Sequence, residues 1–344
     1  VEMTQQKELV GWGLYDSGSI AIRVLGRGPA QSMREMLAER IVRADRVRTR
    51  LLSPETDCCR ILAGPGDGLP GLVLDRYDNL GVLRIYAAAW EPHLPHIVQA
   101  ISRLPWLQTL YRRFGVARVD GRTGGETLVG PEAPDQLVVC EEGMRLLVRP
   151  KVGQKTGLFL DQRQHRSLVR RWAAGRNVAN LFAYNGGFSV AAALGGCSRV
   201  VSVDIARDAL EDARENFRLN GLDPDDHGFE VADAFRWSTK SPVDLLIVDP
   251  PSLSHGQAST RTALNSYREL HQRLGKQVSR DGLLASSSCT ARVDISSWRK
   301  AIQEGLARTG DWSWHWLSHE PVDHPVTLGH SEGQYLKFAL LRRR

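Results

Sequence analysis

The 344-residue chain is 42% hydrophobic and 24% charged, with a formal net charge of +6. That profile excludes a disordered or fibrous chain and fits a globular one with a sizeable core, large enough for two or three domains. No apolar run approaches the roughly 18 residues of a membrane span, so no membrane partner is expected. Mild basicity suits a polyanionic partner. Five scattered cysteines without a Cys-x-x-Cys pair speak against zinc and disulfides, and for reduced thiols in the cytoplasm.

The chain opens on Val1 rather than Met with no signal-peptide pattern, and a truncated start stays open. Residues 8–28 read as two short strands about an Asp16-Ser17-Gly18 turn, part of a small β module. From Ser32 to Leu51, apolar residues (Met33, Leu37, Ile41, Ala44, Val47, Leu51) recur at helical spacing. The opposite face carries Arg34, Arg40, Arg43, Arg46, Arg48 and Arg50 and reads as solvated, with phosphate contact as the alternative. Strand signals fill 58–89, with Asp78-Asn79 in a hairpin turn. A helix over Glu91–Leu104 follows, then strands at 107–113, 136–141 and 144–149 separated by loops. These segments group as a module at 1–29, an α+β middle domain at 30–150 and a third domain at 151–344.

Asp161, Gln162 and Arg163 precede an Arg-rich helix and can close over a ligand; a helix cap with solvated arginines is the alternative. The chain is organised around 177–204: a strand (Val178–Phe182), a turn (Ala183–Gly187), a helix (Phe188–Leu194) and a second strand (Arg199–Val203) ending at Asp204. Gly186 and Gly187 let the backbone approach a ligand. Asp204 stands where doubly wound folds bind ribose hydroxyls. Without a Gly-x-Gly-x-x-Gly for a pyrophosphate, a nucleoside ligand such as S-adenosylmethionine fits better. An ordinary β-α-β unit is the competing reading.

A helix over 206–220 and a short strand ending at Ala232-Asp233 come next. The apolar run Val243–Val248 reads as a central parallel strand breaking at Asp249-Pro250-Pro251. After a helix from about 262 to 280, a strand over Gly282–Ser288 leads to Cys289-Thr290; a helix over 295–308 and strands at 312–317 and 334–341 finish the chain. This alternation predicts a doubly wound α/β sheet. Asp249 and Cys289 end consecutive strands and converge on one substrate if the usual strand order holds. A thiolate adding to C6 of a pyrimidine makes C5 nucleophilic, and a carboxylic acid near N3 stabilises the adduct. Asp-Pro-Pro also serves exocyclic amine methylation, but Ser252 follows where a stacking aromatic is wanted. A buried structural cysteine is the plainer alternative.

The stretches NLFAYNGGFSVAAALGG (180–196), SVD (202–204), DPPS (249–252), SSSCT (286–290) and GQKTGLFLDQR (153–163) together resemble one family. It is the bacterial class I methyltransferases that make 5-methylcytosine in large-subunit ribosomal RNA behind an RNA-binding PUA domain. DGLPGLVLDRY (67–77) and DHPV with SEGQYLK (323–337) extend the likeness over nearly the whole chain. The resemblance implies Cys289 as nucleophile and Asp249 as the pyrimidine-side acid. It implies a cofactor site of Phe182, Ala183, Tyr184, Gly186, Gly187 and Ser189, with Asp204, Ile205, Asp233 and Ala234, and with Gln162, Arg163 and Asp249 at its rim. No metal is implied. Ribosomal RNA is the expected partner, and a homodimer is one assembly open to the chain. Residues 8–28 match only the latter part of a PUA domain, and Asn185 replaces the family's usual threonine. Related members modify guanine, so guanine or amine methylation, or a small-molecule substrate, stays open.

Overall fold

Two apolar patterns divide the chain, alternating hairpin strands before residue 160 and long buried runs joined by helices after it. The computed structural model describes residues 1–18, 20–117, 119–253, 260–330 and 333–344. One unit comprises Val1–Gly143, Leu147–Leu160 and Pro321–Gly329; the other comprises Met144–Leu146, Asp161–Glu320 and His330–Arg344. The boundary expected at 150/151 thus falls inside a segment of the first unit, and 321–329 returns to that unit.

In the first unit, β1 (Glu2–Gln5), β2 (Glu8–Tyr15) and β3 (Ile22–Arg27) form an antiparallel sheet, one strand more than the alternation signalled. Helix α1 (Met33–Leu51) follows. Strands β4 (Cys58–Ala63), β5 (Leu72–Tyr77) and β6 (Leu80–Ile85) precede α2 (Leu94–Ile101), after which β7 (Thr109–Arg113) and β8 (Gly125–Val129) complete a five-stranded sheet in sequence order. Only β6 and β7 are parallel, as the crossover through α2 requires. Asp78 takes the left-handed conformation (φ 53) that a two-residue hairpin needs. Trp12, Leu14 and Leu25 share one core with Met36, Leu37 and Ile41 of α1 and with Leu62, Leu74 and Trp90. Burying each such side chain contributes about 1.5–3 kcal/mol. Strands β9 (Leu137–Glu141) and β10 (Met144–Val148) come next in the chain, and Met144–Leu146 of β10 are counted with the second unit.

Several expected boundaries move for local reasons. The helix expected from Glu91 begins as a 3-10 turn over Ala88–His93 and becomes α2 only at Leu94, because Pro92 and Pro95 remove amide donors. Strand β8 went unseen because its GETLV sequence is half polar and lies on the sheet edge. The arginine face of α1 is only partly solvated: Arg40 donates to the carbonyls of Gly68 (2.5 Å) and Leu25 (2.6 Å), and Arg48 is buried against Asp67.

The second unit opens with α3 (Arg163–Trp172) and β11 (Asn177–Leu181), followed by α4 (Gly187–Leu194), β12 (Arg199–Asp204), α5 (Arg207–Leu219) and β13 (Gly228–Val231). Next come β14 (Val243–Val248), α6 (Thr260–Leu274), β15 (Val278–Ser288), α7 (Ile295–Leu306), β16 (Trp312–Ser318) and β17 (Lys337–Arg343). The sheet order is β13-β12-β11-β14-β15-β17-β16. β11–β15 pair in parallel, and β17 is antiparallel to both β15 and β16. This is the doubly wound α/β sheet with an antiparallel edge that the alternation predicts. The helix expected to reach 280 stops at Leu274, because Gly275 ends it and Val278 already pairs with Val243. Among the described residues, no helix is long and apolar enough to cross a membrane.

Candidate active site

The crevice lies at the C-terminal ends of β11, β12, β14 and β15, where an open α/β sheet reverses its winding. β11 ends at Leu181, and the chain turns with Phe182 (φ 60), Tyr184 (φ 50) and Gly186 (φ 75) all left-handed. Two non-glycine residues in that conformation mark a turn held by its surroundings. Tyr184 N–H donates to Asp204 Oδ2 at 2.8 Å and Ala206 N–H to Oδ1 at 2.9 Å. Asn216 reaches from α5 to the Asn185 carbonyl at 2.7 Å. The Asp204 carboxylate, at the tip of β12, keeps lone pairs beyond these two bonds.

Gly186 caps α4, and a Cβ on it would stand 2.7 Å from the Ala213 Cβ, so only glycine fits. The Ser189 hydroxyl is buried with Asn180 Nδ2 (2.9 Å) and Ser202 Oγ (2.7 Å), which engages it between β11, β12 and α4. Ile205 is exposed, and Ala234 is buried under Arg273, which donates to its carbonyl at 3.0 Å. Asp233 caps its own turn through Phe235 N–H at 2.9 Å, and Phe235 meets Phe182 edge-on with ring centroids 5.0 Å apart.

On the other side, β14 and β15 are parallel neighbours, with Val248 paired to Ser286. Asp249 and Cys289 therefore leave adjacent strand ends, as their positions in sequence require. The Cys289 thiol lies 4.0 Å from the Pro250 carbonyl. Gln162 donates from Nε2 to Asp249 Oδ1 (3.0 Å) and to Ser287 Oγ (3.3 Å). Its Oε1 accepts from His165 Nδ1 at 2.5 Å, and His165 Nε2 pairs with Ser318 Oγ at 3.0 Å. Burial pushes His165 down to about 3, so the ring is neutral. A neutral ring that donates from Nδ1 accepts at Nε2, so Ser318 is the donor there. The ring stacks on Phe338, centroids 4.1 Å apart.

The picture of an α3 with solvated arginines is corrected at two positions: Arg163 and Arg166 are buried, at 2% and 3% exposure, together with Asp161, Gln162 and His165. Tyr335 donates to Asp161 Oδ2 at 2.6 Å. Sequence reasoning missed His165, whose single signal is its position three residues beyond Gln162. It also missed a second buried histidine under β15. His271 Nδ1–H donates to the Tyr267 carbonyl at 2.7 Å, so its Nε2 accepts from Ser286 Oγ at 2.8 Å. Burial holds His271 at about 4. Tyr267 bonds Ser288 (2.8 Å) and Thr290 (2.9 Å) on either side of Cys289, and burial raises it to about 12. Among the described residues, no cluster of His, Cys, Asp and Glu could hold a metal ion.

This strand order, with a glycine turn after its first strand and a carboxylate ending the second, defines the class I S-adenosylmethionine-dependent methyltransferase fold. The family model described as S-adenosylmethionine-dependent methyltransferase matches residues 112–305. The chain is 36% identical to a ribosomal RNA large subunit methyltransferase of Deinococcus radiodurans, over 96% of this chain and 85% of that protein. It is 33% identical to ribosomal RNA large subunit methyltransferase I of Escherichia coli K12, over 94% and 85%. A SAM-dependent methyltransferase structure from Streptococcus mutans superposes with a TM-score of 0.86 at 25% identity, over 98% of this chain and 89% of that one. A second solved methyltransferase, complexed with SAH, superposes equally well over 97% and 88%. The chain belongs to the S-adenosylmethionine-dependent ribosomal RNA large subunit methyltransferase family.

Proposed function

We propose that this protein methylates C5 of a cytosine in large-subunit ribosomal RNA, with Cys289 as nucleophile and Asp249 at the polar edge of the pyrimidine. The observation that supports it best is the approach of the Cys289 thiol to the Asp249-Pro250 turn, 4.0 Å from the Pro250 carbonyl. Cytosine C5 is a poor nucleophile until C6 becomes tetrahedral. The Cys289 thiolate forms the C6–S bond, and the displaced ring electrons make C5 an enamine carbon while N3 is protonated. Asp249 supplies that proton or hydrogen bond, with one oxygen held by Gln162. S-adenosylmethionine, when bound, supplies an electrophilic methyl group to C5 and leaves as S-adenosylhomocysteine. The C5 proton then passes to a base, the C6–S electrons return to Cys289, and the N3 proton returns to Asp249.

The donor set at the other half of the crevice fits an adenosyl group: Asp204 for the ribose hydroxyls, Asp233-Ala234 for the adenine edge, and the left-handed turn at 182–187 for close backbone approach. Ser189 contributes through its helix position rather than its engaged hydroxyl. The target base must be unpaired or flipped out for Cys289 to reach its face. Strands β1–β3, read as part of a PUA-like module, and the exposed Arg34, Arg43 and Arg46 of α1 would grip the RNA of ribosomes in the cytoplasm. Nucleoside mass spectrometry of ribosomal RNA from cells lacking the protein tests the reading. One 5-methylcytidine should disappear and return with wild type but not with Cys289→Ala. Loss of a methylguanosine instead, or rescue by Cys289→Ala, would overturn it.

A further inference from the structure

Lys337 is buried at 1% exposure, and nothing in the reaction above uses it. It opens β17 directly across from Ser288, the last residue of β15, so its side chain enters the turn that carries Cys289. Its ammonium donates to the Thr290 carbonyl and to the Val293 carbonyl, each at 2.8 Å. Those two bonds close the loop that runs from the cysteine to Asp294, the N-cap of α7. A buried ammonium is costly unless its setting repays the desolvation. Two carbonyls are dipoles and leave the charge itself uncompensated.

The charged and titratable groups around it are Cys289, Glu320 and Asp294; Glu320 is itself held by the Leu336 amide at 2.7 Å. Tyr267 stands near both Cys289 and Asp249, and negative charge on either holds its phenol proton in place. Lys337 is thus the one cation among these groups.

We infer that Lys337 is a positioning residue that holds a positive charge behind Cys289 and fixes the turn presenting it, so that the sulfur is available as a thiolate. The inference rests on the proposed role of Cys289. Burial draws Lys337 down to about 8, while the negative groups near it pull the other way. At neutral pH the ammonium is therefore the main form. With two N–H groups engaged and almost no exposure, it is a poor candidate for the base that takes the C5 proton. Its service is electrostatic: a cation near a thiol favours the thiolate.

The test reads the thiol directly, without substrate. The full chain is alkylated with iodoacetamide across a pH series, and the Cys289 peptide is quantified by mass spectrometry. Lys337→Met should raise the pH midpoint of alkylation by about one unit, which is about tenfold slower labelling at neutral pH. A purely structural role would leave that midpoint where it is. S-adenosylmethionine affinity near wild type shows that the variant is folded. Glu320→Gln keeps an acceptor for the Leu336 amide, removes a negative charge, and should move the midpoint down. A folded Lys337→Met with an unchanged midpoint overturns the inference. If Lys337→Met does not fold, an unchanged midpoint in Glu320→Gln overturns it. Cys289→Ala that still methylates would instead remove the nucleophile reading, a result independent of the alkylation midpoint.

Discussion

Gln162 donates its side-chain amide to Asp249 at 3.0 Å, joining the start of α3 to the end of β14. The orientation of that amide is not free. Asp249 Oδ1 accepts from its nitrogen, so its oxygen faces the buried, neutral His165, whose Nδ1 carries the proton.

Gln162→Leu keeps the size of the side chain and removes the donor. Loss of a hydrogen bond to a charged group costs about 1.5–3 kcal/mol, so kcat should fall roughly tenfold to hundredfold. S-adenosylmethionine affinity, measured by calorimetry, should stay close to wild type. A loss of cofactor affinity with unchanged kcat would assign Gln162 to the cofactor instead.

RNA carrying 5-fluorocytidine at the target position should trap the enzyme. Fluorine at C5 cannot leave as a proton, so after methyl transfer the C6–S bond to Cys289 persists. A denaturing gel should show a slower band for wild type and none for Cys289→Ala. A band of equal strength with Cys289→Ala would end the covalent mechanism.

Gly186→Ala should destabilise the fold by about 1–3 kcal/mol, because a left-handed residue gains a side chain where no space exists. The new Cβ would lie 2.7 Å from the Ala213 Cβ. Thermal unfolding gives the stability change, and cofactor affinity should fall with it since the turn must shift. A variant with wild-type stability would mean that α5 gives way freely.

Acid should destabilise the protein earlier than its carboxylates alone require. Burial holds His165 at about 3 and His271 at about 4, both below the ordinary 6.5. The unfolded chain therefore takes up protons first, and the stabilisation is complete above about pH 6.5 and lost as pH falls through about 4 for His271 and about 3 for His165. With both groups contributing, unfolding free energy should drop by roughly 2–3 kcal/mol per pH unit at the steepest point. Urea titrations across that window measure the slope. A flat profile there would show that the rings find protons without unfolding. Asp294, held at about 2 by Ser297, has its stabilisation lost only below the ordinary carboxylate range.

The parallel sheet was legible because its evidence is local: Val243–Val248 is apolar at every position but Asp244, and β14 is buried between β11 and β15. Adjacent placement of Asp249 and Cys289 followed from strand order alone. What stayed hidden is polar and long-range. Arg163, His165, Arg166 and His271 carry no hydrophobic signature, and each is buried by partners or packing remote in sequence. Lys337 reads as an ordinary charged residue at a strand end until its register opposite Ser288 is known. The polar edge strand β8 and the helix stop at Gly275 show the limit of periodicity when the pattern is weak.

Asp323 has a consequence for how the protein is made. Its carboxylate accepts the Arg60 amide at 3.0 Å, and its carbonyl accepts from the buried Arg48 at 3.1 Å, while Thr327 donates to the Pro65 carbonyl at 2.8 Å. The amino-terminal unit thus needs a piece of chain translated more than 250 residues after its own β4. Domains usually fold in order as they leave the ribosome. Here the amino-terminal unit must wait, with Arg48 and Arg60 still lacking these contacts, until residues 321–329 have been made. Folding of this unit is tied to the synthesis of residues 321–329, and a product terminated before them lacks one of its parts.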